Sequence, residues 1–331
     1  MRLILLSLLS GSVASVFGGS AFAQRAPAPA QSDALANLWL VRSQTITEDL
    51  VKDVTGLKPS GRAMLWGRLG QQWWRDDPER ARAWLLKSIE IVEAVPNREN
   101  PAERNLRLAT ARLLLNIVAR LDQKLSKRLI AILSDDAERV GEAERRANAE
   151  GLVEAALSIV DKDPRRAAEL GSIAIRIGRP PSIAWLIVSL RSRDVKLGEA
   201  LFAQTIEVAR QTLDAELINS LSHSIFTESM QPGTTKPALP DEMRTELLKL
   251  DLAFLQANPI NAENREVICM GVGSFIAPVL GQFEHLLPQQ AAVARQSVNQ
   301  CHSPFPLAQQ RIDEALNNQP LNTVGTAESG G

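Results

Sequence analysis

The side chains in this 331-residue chain best suited to chemistry are three histidines, two cysteines and two pairs of adjacent carboxylates. The histidines are His223, His285 and His302. Glu284-His285 and Cys301-His302 each set two metal-ligand types side by side. Neighbours on a helix diverge by about 100°, so such pairs do not readily close on one ion. No H-E-x-x-H is present, and no metal site is expected. Adjacent carboxylates suit acid–base work, one holding a proton while the other accepts one. Asp76-Asp77 and Asp135-Asp136 both precede helical segments, however, where anions are favoured by the helix dipole. They are read as caps. The charge run Glu142–Glu150, with Glu144, Arg145 and Arg146, is read as a solvated helix face.

Other signatures fail on their residues. There is no G-x-x-x-x-G-K-[ST] phosphate loop. Gly271-Val272-Gly273 is followed by Phe275 and Ile276, where a dinucleotide fingerprint needs another glycine. G-x-S-x-G and S-x-x-K are absent. No catalytic residue and no cofactor are expected.

Cys269 and Cys301 are the only cysteines. In an oxidising compartment they would pair and staple Glu266–Leu280 to the segment ending at Cys301. Closing that loop would contribute roughly 3 kcal/mol. Two buried free thiols are the alternative.

Tryptophan gives the remaining lead. Trp66, Trp73, Trp74 and Trp84 lie close together, with only Trp39 and Trp185 elsewhere. Trp84 is expected in the core. Trp66 and Trp73 are seven apart, on one face with Leu69 between them. Trp74 points about 100° away from Trp73. Beside Arg75 it is a candidate anchor for a partner chain or a sugar face. The plainer reading of all four is an inter-helix packing cluster.

The elements that must position these residues read as helices. Leu106, Ala109, Leu113, Ile117 and Leu121 recur at spacings of three and four. No comparable run alternates apolar and polar residues. Asp77-Pro78, Asn100-Pro101 and Asp163-Pro164 each pair an N-cap residue with proline at the first helical position. Glu103 follows Asn100 by three, as in a capping box.

Residues 1–23 read as a signal peptide. Met1-Arg2 gives a positive start, Leu3–Leu9 is apolar, and Ala21-Phe22-Ala23 fits cleavage after Ala23. No later stretch approaches 18 uncharged apolar residues, so no transmembrane segment is expected. Residues 24–32 form a Pro/Ala linker, 33–228 a helical array and 229–240 a Pro/Gly/Thr-rich loop. Residues 241–318 are a C-terminal helical segment, and 319–331 a disordered tail.

Within the array a pattern recurs. Four residues after Asp77, Asp122, Asp163 and Asp194 stand the small residues Ala81, Ser126, Ala167 and Gly198. Seven residues after the same aspartates stand Trp84, Leu129, Leu170 and Leu201. The offsets are 45, 41 and 31 residues, the length of a helix hairpin. The Asp caps a helix, the small residue admits a neighbouring helix, and the large one fills the groove between them. One hairpin cannot bury such a face alone, so hairpins stack.

Over Gly61–Gln211 this pattern resembles the broad class of tetratricopeptide- and HEAT-like helical-repeat proteins. It departs from the tetratricopeptide consensus, having no regular 34-residue spacing and no tyrosine. The resemblance implies an all-α fold, stacked helix hairpins forming an α-solenoid, and a concave surface that binds proteins or peptides.

Lys plus Arg number 37 against 38 Asp plus Glu, which argues against a nucleic-acid partner. The expectation is a periplasmic or secreted, non-catalytic scaffold for a protein or peptide partner in the cell envelope. The alternative is a glycan- or peptidoglycan-binding helical domain, or a helical-toroid enzyme with a Trp-lined groove.

Overall fold

A computed structural model describes Asp49 and residues 54–95, 100–135, 139–228, 239–261 and 263–301. The expected signal peptide, the linker and the C-terminal tail lie outside these residues. So do Trp39, His302, Asp136 and most of the 229–240 loop. The chain divides into two compact units, 1–53 and 54–331. Of the first only Asp49 is described, and the elements from Val54 onward all belong to the second.

Every regular element among the described residues is helical. After a short 3-10 turn come α1 (Pro59–Trp73), α2 (Pro78–Ala94), α3 (Pro101–Val118) and α4 (Gln123–Asp135). Next are α5 (Glu142–Ile159), α6 (Pro164–Gly178), α7 (Ile183–Arg191) and α8 (Val195–Thr212). α9 (Ala215–Glu228), α10 (Asp241–Ala257), α11 (Arg265–Gly271), α12 (Leu280–Leu286) and α13 (Ala291–Cys301) complete the set. Proline occupies the first helical position of α1, α2, α3 and α6, where its missing amide costs nothing.

Four helix junctions share one geometry. The carbonyl of Trp73 accepts from the amides of Asp76 and Asp77, and that of Val118 from Leu121 and Asp122. The carbonyl of Ile159 accepts from Lys162 and Asp163, and that of Leu190 from Arg193 and Asp194, all at 2.7–3.1 Å. Each Asp carboxylate then accepts from the amide three residues on: Arg80 at 3.0 Å, Leu125 at 3.0 Å, Arg166 at 3.1 Å and Leu197 at 3.2 Å. One helix is thus closed and the next opened by a single acid. Asp214 caps α9 the same way through Leu217 at 3.1 Å, although Ile218 stands where the others carry a small residue.

The small and large positions that follow these acids are buried. At Gly198 a Cβ would lie 2.8 Å from the backbone nitrogen of Arg191, so α8 meets the end of α7 backbone to backbone. Leu201 packs over Gly171 of α6, where a Cβ would lie 2.8 Å from its side chain. Successive helices pack on one another, as α1 on α2 and α5 on α6. Helices two apart also touch, as α1 with α3, α3 with α5, α5 with α7, α6 with α8 and α8 with α10.

Several expectations need correction. α3 is a helix, but Leu106 and Leu113 are half exposed, and its core side carries Leu108, Ala111, Leu115 and Val118. Periodicity gives the helix but not which stripe its neighbours cover. Asn100 caps α3 through the amide of Ala102 at 3.0 Å. Asp135 is the last residue of α4, so it is not an N-cap. The Glu142–Glu150 run is not a solvated face. Arg112 donates to Glu144 and Asn148, both at 2.6 Å, and Arg146 donates to Asp214 at 2.7 Å. Arg179 pairs with Glu142, and the Ser182 hydroxyl donates to Glu150. These ties form because α5 has α3, α6 and α7 against it.

The end of α6 shows packing overriding conformational preference. A Cβ on Gly178 would stand 2.2 Å from the carbonyl oxygen of Arg145, so only glycine fits. The left-handed residue that ends the helix therefore falls on Arg179, with φ 53°. Its pairing with Glu142 helps hold it there.

The segment after α10 is built differently. Arg265–Leu286 runs through α11, a π-turn (Val272–Ile276), a 3-10 turn (Ala277–Val279) and α12. The Ala277 amide reaches back five residues to Val272, just before Pro278, which has no amide to donate. By length and composition this stretch is apolar enough to cross a membrane. That corrects the expectation that no later segment comes close. Phe275 and Phe283 of this stretch are among the fully buried side chains, and it packs on α9, α10 and α13, as a core helix does. Cys269 and Cys301 form a disulfide, with Cα atoms 5.2 Å apart, tying α11 to the end of α13. The pair is consistent with an oxidising compartment.

Candidate functional site

The residues singled out for chemistry do not converge. His223 and His285 are exposed on α9 and α12. Both cysteines are consumed by the disulfide. Asp77 is occupied as a cap, and Asp76 is exposed beside it. Gly271-Val272-Gly273 lies inside continuous helix, with the Gly271 Cβ position 3.1 Å from the Phe275 ring. Among the described residues no group of three His, Cys, Asp or Glu is placed to hold a metal ion.

One titratable group belongs to none of the sequence motifs. Asp251 on α10 is fully buried, and the Ser222 hydroxyl of α9 donates to its two oxygens at 3.0 and 3.3 Å. Burial pushes its carboxyl well above the ordinary range, against the opposing pull of the Ser222 bond. A signal for it does exist in the sequence, because Leu247, Leu248, Phe254 and Leu255 flank Asp251 at three and four residues. A lone acid on an apolar face stands out.

The tryptophans form a packing cluster at the end of the α1–α2 hairpin. Trp66, Trp73 and Trp84 are buried, with ring centroids 6.1 Å apart for Trp66–Trp84 and 6.3 Å for Trp73–Trp84. The Arg80 guanidinium sits over Trp84 at 4.9 Å, and the Lys87 ammonium over Trp66 at 4.2 Å. Trp74 is half-buried against the core, and Arg75 beside it is exposed.

A cavity lies at the other end of that hairpin. Its volume is about 570 Å³. The start of α1, the end of α2 and the first turns of α3 enclose it. Ile91, Val92, Ala94, Val95 and Leu106 make an apolar wall. Among the described residues, Lys58, Arg62 and Arg107 set three cations around it against one acid, Glu103. Arg107 donates through Nε to the Val92 carbonyl at 3.0 Å, closing the end of α2. Leu57, next to Lys58, is half exposed, as is Leu106. Two prolines shape the cleft: Pro59 opens α1 and Pro101 opens α3, while α2 leaves its last turn extended at Val95.

Linear motifs could not show this cleft, because three helix ends supply it. Leu106 does stand out in the sequence, as a member of an apolar stripe. Its exposure is what marks the site.

No protein-family model matches the sequence, and comparison with curated proteins and with solved structures finds no match, so no family is shown for this chain.

Proposed function

We infer that this chain is an exported, non-catalytic helical scaffold, a solenoid of stacked hairpins that holds a protein or peptide partner in the cell envelope. The single observation that carries the reading is the cleft between α1, α2 and α3, with its apolar wall and cationic rim. The four recurring junctions and the contacts between helices one and two apart support the stacked architecture. The disulfide supports export.

The cleft's chemistry selects its occupant. An apolar segment carrying acidic side chains would bury its greasy side on Ile91, Val95 and Leu106 and place carboxylates beside Lys58 and Arg62. Trp74 and Arg75 offer a second, weaker contact. α1 has 15 residues and so is about 22 Å long, which separates that contact from the cleft.

The helical-toroid enzyme alternative needs two carboxylates about 5–10 Å apart in a Trp-lined groove, and glycan binding needs an exposed aromatic face. Among the described residues the cleft's lining has one carboxylate and no tryptophan, and three tryptophans of the cluster pack on one another.

The test is affinity capture by the mature protein from envelope extract, repeated with Leu106→Glu and Arg62→Glu. We expect a captured protein whose acidic, apolar segment binds the purified wild type. Each substitution should weaken that binding about tenfold or more, as loss of an interface anchor does. Capture that is indifferent to both substitutions, or muropeptides in place of protein, overturns the reading.

A further inference from the structure

The cleft between α1, α2 and α3 holds a donor that the described protein does not satisfy. Arg62, at the end of the first turn of α1, lines it. Its Nε is buried with no hydrogen-bond partner among the described residues. A buried donor left unmatched costs stability, and an acceptor brought to it recovers that cost. Arg107 differs, because its Nε is taken by the Val92 carbonyl at 3.0 Å.

The turn that carries Arg62 also lacks a side-chain acceptor. α2, α4, α6 and α8 open with an aspartate whose carboxylate takes a first-turn amide. At α1 that place is held by Lys58, whose side chain makes no capping bond, and Ser60 of the same turn lines the cleft. Guanidinium, ammonium and helix amides thus favour an anion at this end of the cavity.

We propose that the cleft receives the free C-terminus of its peptide partner, with the terminal carboxylate on Arg62 beside the opening turn of α1 and an apolar last side chain on Ile91, Val95 and Leu106. The inference rests on the reading of the cleft as a peptide site and names the part of the peptide that enters it. A chain end fits better than an internal acid. Because Arg62 Nε is buried, an anion that meets it must enter the cleft rather than rest on its rim. An internal Asp or Glu reaching that depth would draw flanking backbone onto the apolar wall, where its amides and carbonyls find no partners. A terminal carboxylate enters end-on, with one side chain behind it. Its two oxygens match the paired N–H groups along one edge of a guanidinium, Nε among them. The cavity, about 570 Å³, suits a few terminal residues rather than a long segment.

Binding of short synthetic peptides to the mature protein tests this. The probe is a mixture with randomised positions ahead of a final Leu, Val or Phe, prepared as free acids and as C-terminal amides. Equilibrium dialysis with mass spectrometry reads what is bound. The acids should bind about tenfold or more tightly than the amides, as loss of hydrogen bonds to a charged group does. Arg62→Gln, with its melting transition in place, should bring the acids down to the level of the amides, and Leu106→Glu should weaken both. Equal binding of acids and amides that Leu106→Glu still weakens overturns the terminal carboxylate and leaves the peptide cleft standing. Binding that both substitutions leave untouched overturns the inference and the cleft reading together. Binding of neither mixture overturns the inference as well, and envelope capture with Leu106→Glu then judges the cleft reading separately.

Discussion

The junctions between α1 and α8 and the closure around α11 solve one problem in two ways. In the first region, each chain reversal is specified by a few neighbouring residues. A carbonyl that accepts two amides, such as that of Ile159, closes one helix, and an acid such as Asp163 opens the next. Small residues then let backbones approach. Around α11 no such acid cap is found among the described residues. A π-turn, Pro278 and a disulfide between residues 32 apart in sequence hold that region instead. Locally coded reversals leave order to the sum of many weak contacts. A covalent tie fixes two distant points at once and constrains the unfolded chain as well.

Breaking the tie should have the largest effect. Replacing Cys269 and Cys301 together by serine removes a closure of 32 residues, which the chain-entropy relation puts at about 3–4 kcal/mol. The loss should appear in urea unfolding of the double variant and in reductant-treated wild type alike. If stability is unchanged in both, the covalent side of the contrast is wrong.

How much of the molecule is legible in its sequence follows the same division. Asp77, Asp163 and Asp194 are readable because a cap needs only the acid and the amides just after it. The cysteines are readable because only two exist. Features that depend on what lies across a helix are not. The pairing of Glu144 and Glu150 with Arg112 and Ser182 depends on residues over 30 positions away. The exposure of Leu106 depends on where α1 begins and α2 ends. Asp135 misleads because acids occur at both helix ends and only the boundary distinguishes them. The cleft, assembled from three helix termini, leaves no pattern along the chain at all.

Asp251 sharpens the comparison from the boundary between the regions, where α10 packs on α9. Its folded-state carboxyl titrates well above the ordinary aspartate value because burial opposes charge. The sign of the effect comes from linkage. Below the unfolded value both states hold the proton, and nothing is lost. Between the two values the unfolded chain is ionised and the folded chain is not, so stability falls as pH rises. The limiting slope is about 1.4 kcal/mol per pH unit. Asp251→Asn keeps an acceptor for Ser222 and cannot ionise. We expect its stability to fall less steeply than wild type as pH rises above the ordinary aspartate value, whatever offset the amide introduces. Parallel curves would show that Asp251 does not carry this linkage.

The smallest effect tests whether the four junctions are equivalent. Asp163→Ala removes one carboxylate that accepts from the Arg166 amide at 3.1 Å. Asp194→Ala does the same at Leu197, 3.2 Å. Loss of such a cap costs about 1 kcal/mol, and the two costs should agree because the local geometry is the same. Asp122→Ala should cost more, since that carboxylate also receives Arg82 Nε at 2.6 Å across to α2. Arg82→Ala alone should recover only that excess, a few tenths of a kcal/mol for a pair whose arginine is half exposed. Urea midpoints for the four variants decide the matter. If Asp163→Ala and Asp194→Ala differ by more than Asp122→Ala exceeds either, the shared hydrogen-bond geometry does not translate into shared energetics. The junctions would then be alike in shape only, each stabilised by its own surroundings.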